Sequence, residues 1–307
     1  MNQHFHIYSA PLQGYTDHVW RRSHALVFGG IDCYYSPFMR IQHGGIMSRD
    51  LRDVLPEHNQ GMHFVPQILA CAPPDAVTMA SRLKALGYTE IDINMGCPFP
   101  PIARHAKGSG ILCYADKVKA LFEALAAIDG VRYSVKMRLG YAGDDEWRQV
   151  LPLMSIINPT HITVHPRTGL QQYKGEINMR QFDDLLHASP YPVVYNGELH
   201  SLDDVDEVRA AHPTLAGVMI GRALVANPAL LEPEKADKAH YQAFHDKLYG
   251  QYQRLLASGG PAQLLSKMKA FWEMYLPNAD AKSCKLIHKA TTIEKYDQAV
   301  AQLFSRL

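Results

Sequence analysis

No stretch of the 307 residues comes near the roughly 20 consecutive apolar positions that a membrane-spanning helix needs. The opening Met1-Asn2-Gln3-His4-Phe5 lacks a basic segment leading into an apolar one, so no export signal is expected and a cytoplasmic location is. Cysteine is scarce. The five present (Cys33, Cys71, Cys97, Cys113 and Cys284) include no Cys-x-x-Cys pair, which leaves neither a disulfide framework nor a zinc site to expect. Repeats and low-complexity tracts are absent too. A surplus of one sign of charge is missing as well: the net charge is +1, without the basic footprint that phosphate-rich partners usually impose. That balance leans toward small-molecule chemistry. What remains, 47% hydrophobic and 20% charged, is the composition of a soluble globular enzyme with a substantial core.

Short apolar or β-branched runs alternate with longer amphipathic ones. Strands are expected at Ile7–Pro11, Asp32–Phe38, Phe64–Leu69, Ile91–Asn94, Ser134–Arg138, His161–His165, Val193–Asn196 and Gly217–Ile220. Helical patterns lie between them at Pro74–Leu86, Ala115–Ile128, Asp145–Ile157 and Leu202–His212. Pro74 suits a first helical turn and Ser201 an N-cap. Eight strands separated by helices predict a closed (β/α)8 TIM barrel over residues 1–231. Beyond Leu231 strand signals stop, Glu232-Pro233-Glu234-Lys235 reads as a linker, and residues 232–307 predict a C-terminal all-α helical bundle. That segment holds 11 Lys and Arg against 8 Asp and Glu, a mild surplus that a solvated face explains as well as a partner does.

Barrel chemistry collects where strands end at their carboxyl side. The expected ends carry Pro11 and Leu12, Gln67, Asn94 to Cys97, Lys136 and Arg138, His165 to Thr168, Asn196 to Glu198, and Gly221 with Arg222. A whole polar rim is hard to explain by packing. Gly197, Gly221 and Arg222 stand at the ends of strands seven and eight, the usual phosphate grip of a barrel; tight βα turns are the bland alternative. Alternation turns Lys136 and Arg138 inward and Val135, Met137 and Leu139 toward the helices. Two inward cations call for an anion, either a bound one such as a reduced flavin or a barrel carboxylate.

Cys97, between Gly96 and Pro98, is fixed in a loop at this face, whereas the other four cysteines fit small core hydrophobes. A thiol with an ordinary pKa of about 8.5 is protonated near neutrality, so it suits proton donation better than nucleophilic attack. His165 is either a satisfied core histidine or a rim contact. His161 lies four residues earlier, and on a strand that spacing is roughly 13 Å, too far to share one ion. No metal is expected.

Together these motifs resemble the tRNA-dihydrouridine synthase family, of the FMN-dependent bacterial type. The matching segments are Ala10 to Asp17, Val65-Pro66-Gln67, Asp92 to Pro98, Gly108-Ser109-Gly110, Val135 to Gly140, Val164 to Thr168, Tyr173, Asn196-Gly197-Glu198 and Ile220-Gly221-Arg222, in the family's order. The resemblance implies an FMN barrel, reduced by NADPH or NADH, that passes hydride from flavin N5 to C6 of a uridine in tRNA while Cys97 protonates C5. It implies FMN held by Pro11, Leu12, Gln67, Lys136, His165, Asn196, Glu198, Gly221 and Arg222. Asn94, Arg138 and Tyr173 are implied to meet the uracil. The tail resembles the family's RNA-binding domain, with Lys267-x-Lys269 its one motif-like element; Arg40, Arg104 and Lys107 are either further phosphate contacts or ordinary surface charge. A monomer is expected, and ribosomal RNA is not excluded as substrate. The chain departs from the family at Phe99-Pro100-Pro101, where a polar or basic residue usually follows, at Tyr35 to Phe38, which lacks an acidic residue, and at Pro166, where glycine is usual. An FMN barrel acting on a small pyrimidine or other small molecule is the alternative; it suits the near-neutral charge but leaves the tail without a purpose.

Overall fold

The computed structural model describes residues 4–307. Its barrel strands are β1 (His6–Ser9), β2 (Cys33–Tyr35), β3 in two pieces (Phe64–Val65 and Gln67–Ile68), β4 (Glu90–Met95), β5 (Arg132–Gly140), β6 (Ile162–Thr168), β7 (Val193–Tyr195) and β8 (Gly217–Ile220). All pair in parallel. The hydrogen-bonded order runs from the first piece of β3 through β2, β1, β8, β7, β6, β5 and β4 to its second piece. Both ends of the ribbon are therefore halves of one strand, and the sheet closes on itself as expected. Pro66 makes the break: it has no N–H to donate, while its carbonyl accepts from Asp92 N at 2.9 Å.

The helices that cover the sheet include α1 (His18–Val27), α2 (Pro73–Ala85), α3 (Ala115–Ala126), α4 (Met179–Ala188), α5 (Leu202–Ala211) and α6 (Arg222–Ala226). Outward-facing Val135, Met137 and Leu139 join the apolar layer under them. Inside the barrel a separate cluster of Tyr8, Ala10, Cys33, Tyr35, Val65, Val194, Ala216 and Met219 fills the axis. Such a filled axis leaves only the mouth for a ligand.

Several elements differ from expectation. Asp145–Ile157 forms one helical turn, Trp147–Val150, and then a 3-10 segment, Leu151–Ile156, because Pro152 cannot donate to the ladder and forces a tighter winding. The sequence pattern missed α1 and α4. Both begin at side-chain caps, Asp17 accepting from Trp20 N and Asn178 from Gln181 N. Strands one and two stop at Ser9 and Tyr35, short of Pro11 and Pro37. Ser201 does cap α5, in a capping box with Asp204. Of the cysteines expected in the core only Cys33 is fully buried; Cys71, Cys113 and Cys284 are half-buried, and Cys113 Sγ donates to Glu146 at 3.4 Å.

Four further helices follow: α7 (Lys238–Leu255), α8 (Gly260–Trp272), α9 (Ala281–Lys289) and α10 (Ile293–Phe304). They dock on α1, where the Phe244 ring sits 5.5 to 6.4 Å from the rings of Phe28, Trp20 and His24. Lys267 is not free for a phosphate as its sequence position suggested. Its Nζ donates to Gly14 O at 2.9 Å and pairs with Asp17 at 3.0 Å, tying α8 to the barrel. No helix among the described residues is long and apolar enough to cross a membrane.

Candidate active site

Carboxyl ends of the strands surround a cavity of about 150 Å³, which opens into a groove of about 540 Å³. Cys97 stands on the wall of both. Among the residues singled out from sequence, Pro11, Leu12, Asn94, Lys136, Arg138, His165, Tyr173, Asn196, Gly221 and Arg222 line the smaller cavity with it. Gln67 and Glu198 do not. They lie behind that wall and act on residues that form it.

Why the thiol sits where it does follows from its loop. Asn94 Oδ1 accepts from the backbone of Gly96 at 3.1 Å and of Cys97 at 2.9 Å, a side-chain-to-backbone turn that ends β4. The Cys97 carbonyl accepts from both the backbone and the hydroxyl of Ser109, at 3.0 Å each. Arg138 Nε holds the Gly96 carbonyl at 3.0 Å. Burial pushes the Cys97 thiol up, against the Phe99 backbone N–H, Arg138, Lys136 and Arg40, which pull it down. Burial wins, so the sulfur keeps its proton.

Under the floor runs a buried polar chain. Asn94 Nδ2 donates to Gln67 Oε1 at 2.8 Å, Gln67 Nε2 to Asp92 at 2.6 Å, and Ser134 Oγ to the other Asp92 oxygen at 2.6 Å. This chain explains why Gln67 leaves the wall: its amide is spent on orienting Asn94. Burial pushes the Asp92 carboxyl up to about 6. Burial, and then Arg138, pull Lys136 down to about 8, with Asp92 opposing. Asp92 and Ser134 escaped sequence reasoning; an Asp alternating inward two residues before Asn94 was the available signal.

The two inward cations form no salt bridge among the described residues. Lys136 Nζ donates to Asn196 Oδ1 at 2.5 Å, and Asn196 Nδ2 is itself fixed on the Met219 carbonyl at 2.6 Å. Arg138 Nη1 donates to Thr168 O at 2.7 Å. Its Nη2 and two of the three Lys136 protons retain donor capacity toward the cavity. His165 is held far below the ordinary imidazole range by burial and by Arg138, Lys136 and Arg167, so it is neutral. Tyr173 is exposed and lies between two guanidinium groups, 5.3 Å from Arg138 and 4.7 Å from Arg222.

Glu198 bridges Arg167, which is buried, to Arg222 at 3.1 Å. Arg167 is a third residue to which sequence reading gave no role. The two glycines behave differently. A Cβ on Gly197 would meet Tyr195 Oη at 2.0 Å, so packing alone requires glycine there. At Gly221 the nearest atom to such a Cβ is Ala10 Cβ at 3.4 Å, and the backbone lies open to the cavity. Both glycines line the cavity; packing by itself accounts for glycine at 197, whereas no such close neighbour demands it at 221.

The model of the dihydrouridine synthase (Dus) family matches residues 8–303. Among individual relatives, "Probable tRNA-dihydrouridine synthase 2" of Bacillus subtilis (strain 168) is 27% identical, over 69% of this chain and 66% of that protein. "Probable tRNA-dihydrouridine synthase" of Staphylococcus aureus (strain COL) is 25% identical over 96% and 90%. "tRNA-dihydrouridine(16) synthase" of Neisseria meningitidis serogroup A is 31% identical over 72% and 68%. The solved old yellow enzyme homologue from Zymomonas mobilis superimposes with a TM-score of 0.55 at 11% identity, covering 76% of this chain and 89% of that one. Morphinone reductase gives 0.54 at 12%, over 74% and 84%. At such identities the two structures share the barrel fold.

Proposed function

The chain belongs to the dihydrouridine synthase family, and from that membership we propose that it reduces uridines of tRNA to 5,6-dihydrouridine, using FMN and electrons from NADPH or NADH. The observation that carries the proposal is the placing of a protonated thiol, Cys97, on the same small cavity as Lys136, Arg138 and the open Gly221 backbone.

The donor set fits FMN. Lys136 has spare donors at the barrel mouth, Gly221 exposes backbone beside Arg222, and the nearby carboxylates are already engaged, Glu198 by two arginines and Asp92 by Gln67 and Ser134. Lys136 would meet the anionic edge of the ring, Gly221 and Arg222 the phosphate, and Pro11 and Leu12 would form its apolar wall. His165, Asn196, Gln67 and Glu198 complete the set, the last two by holding Asn94 and Arg222 in place. FMN would supply the hydride, delivered from N5 to C6 of uracil.

Cys97 then gives its proton to C5, which with the hydride balances the reduction of the C5–C6 bond. Arg138 offers its free Nη2 to a uracil carbonyl on which negative charge develops, a contact worth more in the transition state than before it. Asn94 sets the thiol loop and keeps one amide proton for the base. Tyr173 offers a stacking face. The target uridine must leave its stack to reach this depth. The groove that ends at Cys97 is a path for it, lined by Phe99 and Tyr173 with Arg40, Arg49 and Arg222. Residues 232–307 are proposed as the RNA-docking domain, working by shape and by charges other than Lys267.

The test uses purified yellow protein. Flavin reduced by NADPH should be reoxidised under anaerobic conditions by unmodified tRNA, with dihydrouridine appearing in it, and far more slowly by free uracil or orotate. Faster reoxidation by the free pyrimidines would support the small-molecule alternative.

A further inference from the structure

The amino-terminal mouth of the barrel, opposite the thiol, carries a cluster that the chemistry above does not use. His6 opens β1, and His4 lies two residues before it. Their rings meet edge to face, with centroids 4.6 Å apart. Asp32, just before β2, faces them. His4 Nε2 lies 3.2 Å from Asp32 Oδ1, and His6 Nδ1 lies 4.0 Å from Asp32 Oδ2. One ligand atom from each residue falls within 4.8 Å of both others. We propose that this cluster is a binding site for a divalent first-row transition-metal ion, held by His4, His6 and Asp32.

Geometry supports it first. Ligands about 2.0–2.2 Å from a tetrahedral ion stand roughly 3.3–3.6 Å from one another. The His4–Asp32 gap is already of that size, and the His6–Asp32 gap needs only a small ring rotation. Preorganisation supports it next. Asp32 Oδ2 accepts from Ile7 N at 2.7 Å, and Asp32 N donates to Ile7 O at 2.9 Å, so the carboxylate is pinned to β1 before any ion arrives. The His6 ring stacks on Tyr8 at 5.5 Å, and Tyr8 on His161 at 5.3 Å, a column that keeps the imidazole beside Asp32 and still allows that small rotation.

Two imidazoles and one carboxylate suit zinc, copper, nickel or cobalt and are poor ligands for magnesium or calcium. Three protein ligands leave a fourth position for water, so the site is expected to exchange with free ion. Its placing makes it a clamp. β1 is hydrogen-bonded between β2 and β8, and an ion bridging β1 to the entry of β2 would stiffen that seam, at the barrel end where residues serve stability. Cysteine spacing and the helical i, i+4 search could not have found this site. The signal was His-x-His at the head of a strand.

The test uses the flavin-loaded protein after chelator treatment. Calorimetric titration with Zn²⁺ should show one ion per chain, and excess Zn²⁺ should raise the thermal midpoint by about 2–5 °C. His4→Ala should weaken binding at least ten-fold and His4→Ala/His6→Ala should abolish it, with dihydrouridine formation unchanged in both. Bound Cu²⁺ should show two nitrogen ligands by electron paramagnetic resonance. His4 is largely exposed, so its variant should fold. No binding to the wild type, or equal binding to the double variant, would overturn the assignment.

Discussion

Gly108 lies directly against Cys97. Its φ is +57°, and a Cβ built on it would meet the Cys97 carbonyl oxygen at 2.6 Å and the Cys97 Cβ at 2.8 Å. Both the left-handed backbone and the close approach demand glycine. Gly108→Ala should therefore push the thiol loop off its position, at a stability cost of ~1 kcal/mol or more. Formation of dihydrouridine in tRNA should fall at least ten-fold, while NADPH still reduces the flavin at the normal rate. A variant with full RNA activity would show that the loop tolerates displacement and that the thiol's exact place is unimportant.

The thiol itself sets a pH expectation. Only the protonated form can act as acid, and burial raises its pKa above the ordinary thiol value. In single-turnover reduction of tRNA the loss set by the thiol should come only above pH 8.5, distinct from an earlier partial loss near pH 8 as Lys136, pulled down to about 8, gives up its proton. Cys97→Ala should keep the yellow colour and NADPH oxidation but lose about 10²- to 10⁴-fold in RNA reduction. Wild-type activity abolished completely by pH 8 would assign the proton to another group.

How much of this was visible beforehand depended on the kind of signal. Strand alternation gave Lys136 and Arg138 their inward direction, and the run Asn94 to Pro98 marked the thiol loop, because both are local patterns of period or of glycine and proline. Gln67 was assigned to the cofactor through the family resemblance; that its amide also orients Asn94 depends on Asp92 and Ser134, two neighbours from other strands. Lys267 looked like a free cation because its partners, Gly14 and Asp17, lie about 250 residues away in sequence. α1 was missed because its many polar residues blur the helical period, although Asp17 caps it. Long-range satisfaction of polar groups is what one sequence hides.

Phe99 offers a test of the groove. It is 58% exposed, an unusual cost for phenylalanine, and Pro98, Pro100 and Pro101 fix its loop beside Cys97. Such a residue suits a flanking base, since stacking on an aromatic side chain is worth about 1–3 kcal/mol. Phe99→Ala should raise KM for tRNA about 5- to 100-fold with a smaller effect on kcat, Phe99→Trp should restore it, and reoxidation of the flavin by free uracil should not change. An unaltered KM in the alanine variant would route the RNA past another wall.

Acid should destabilise the fold through buried neutral histidines. His24 Nε2 faces the Pro228 carbonyl at 3.0 Å and must donate to it, so Nδ1 accepts from Tyr34 Oη at 2.8 Å; this neutral tautomer has no room for a second ring proton. Burial drives its pKa to about 3, and that of His161 to about 4. The folded values are depressed, so the unfolded chain binds protons first. Stability is fully present above pH 6.5 and is lost as pH falls below it, by about 2 kcal/mol per histidine between pH 7.5 and 5. Asp92 works in the opposite direction, because burial raises its pKa to about 6 and the native state then takes up a proton in the same window. Comparison of variants cancels that contribution. Urea unfolding at pH 7.5 and pH 5 should show a pH-dependent loss in wild type that is smaller by about 2 kcal/mol in His24→Gln, even though the variant is less stable at pH 7.5. An equal loss in both proteins would mean that His24 titrates in the native state as freely as in the unfolded one, and the tautomer assigned from its two partners would be wrong.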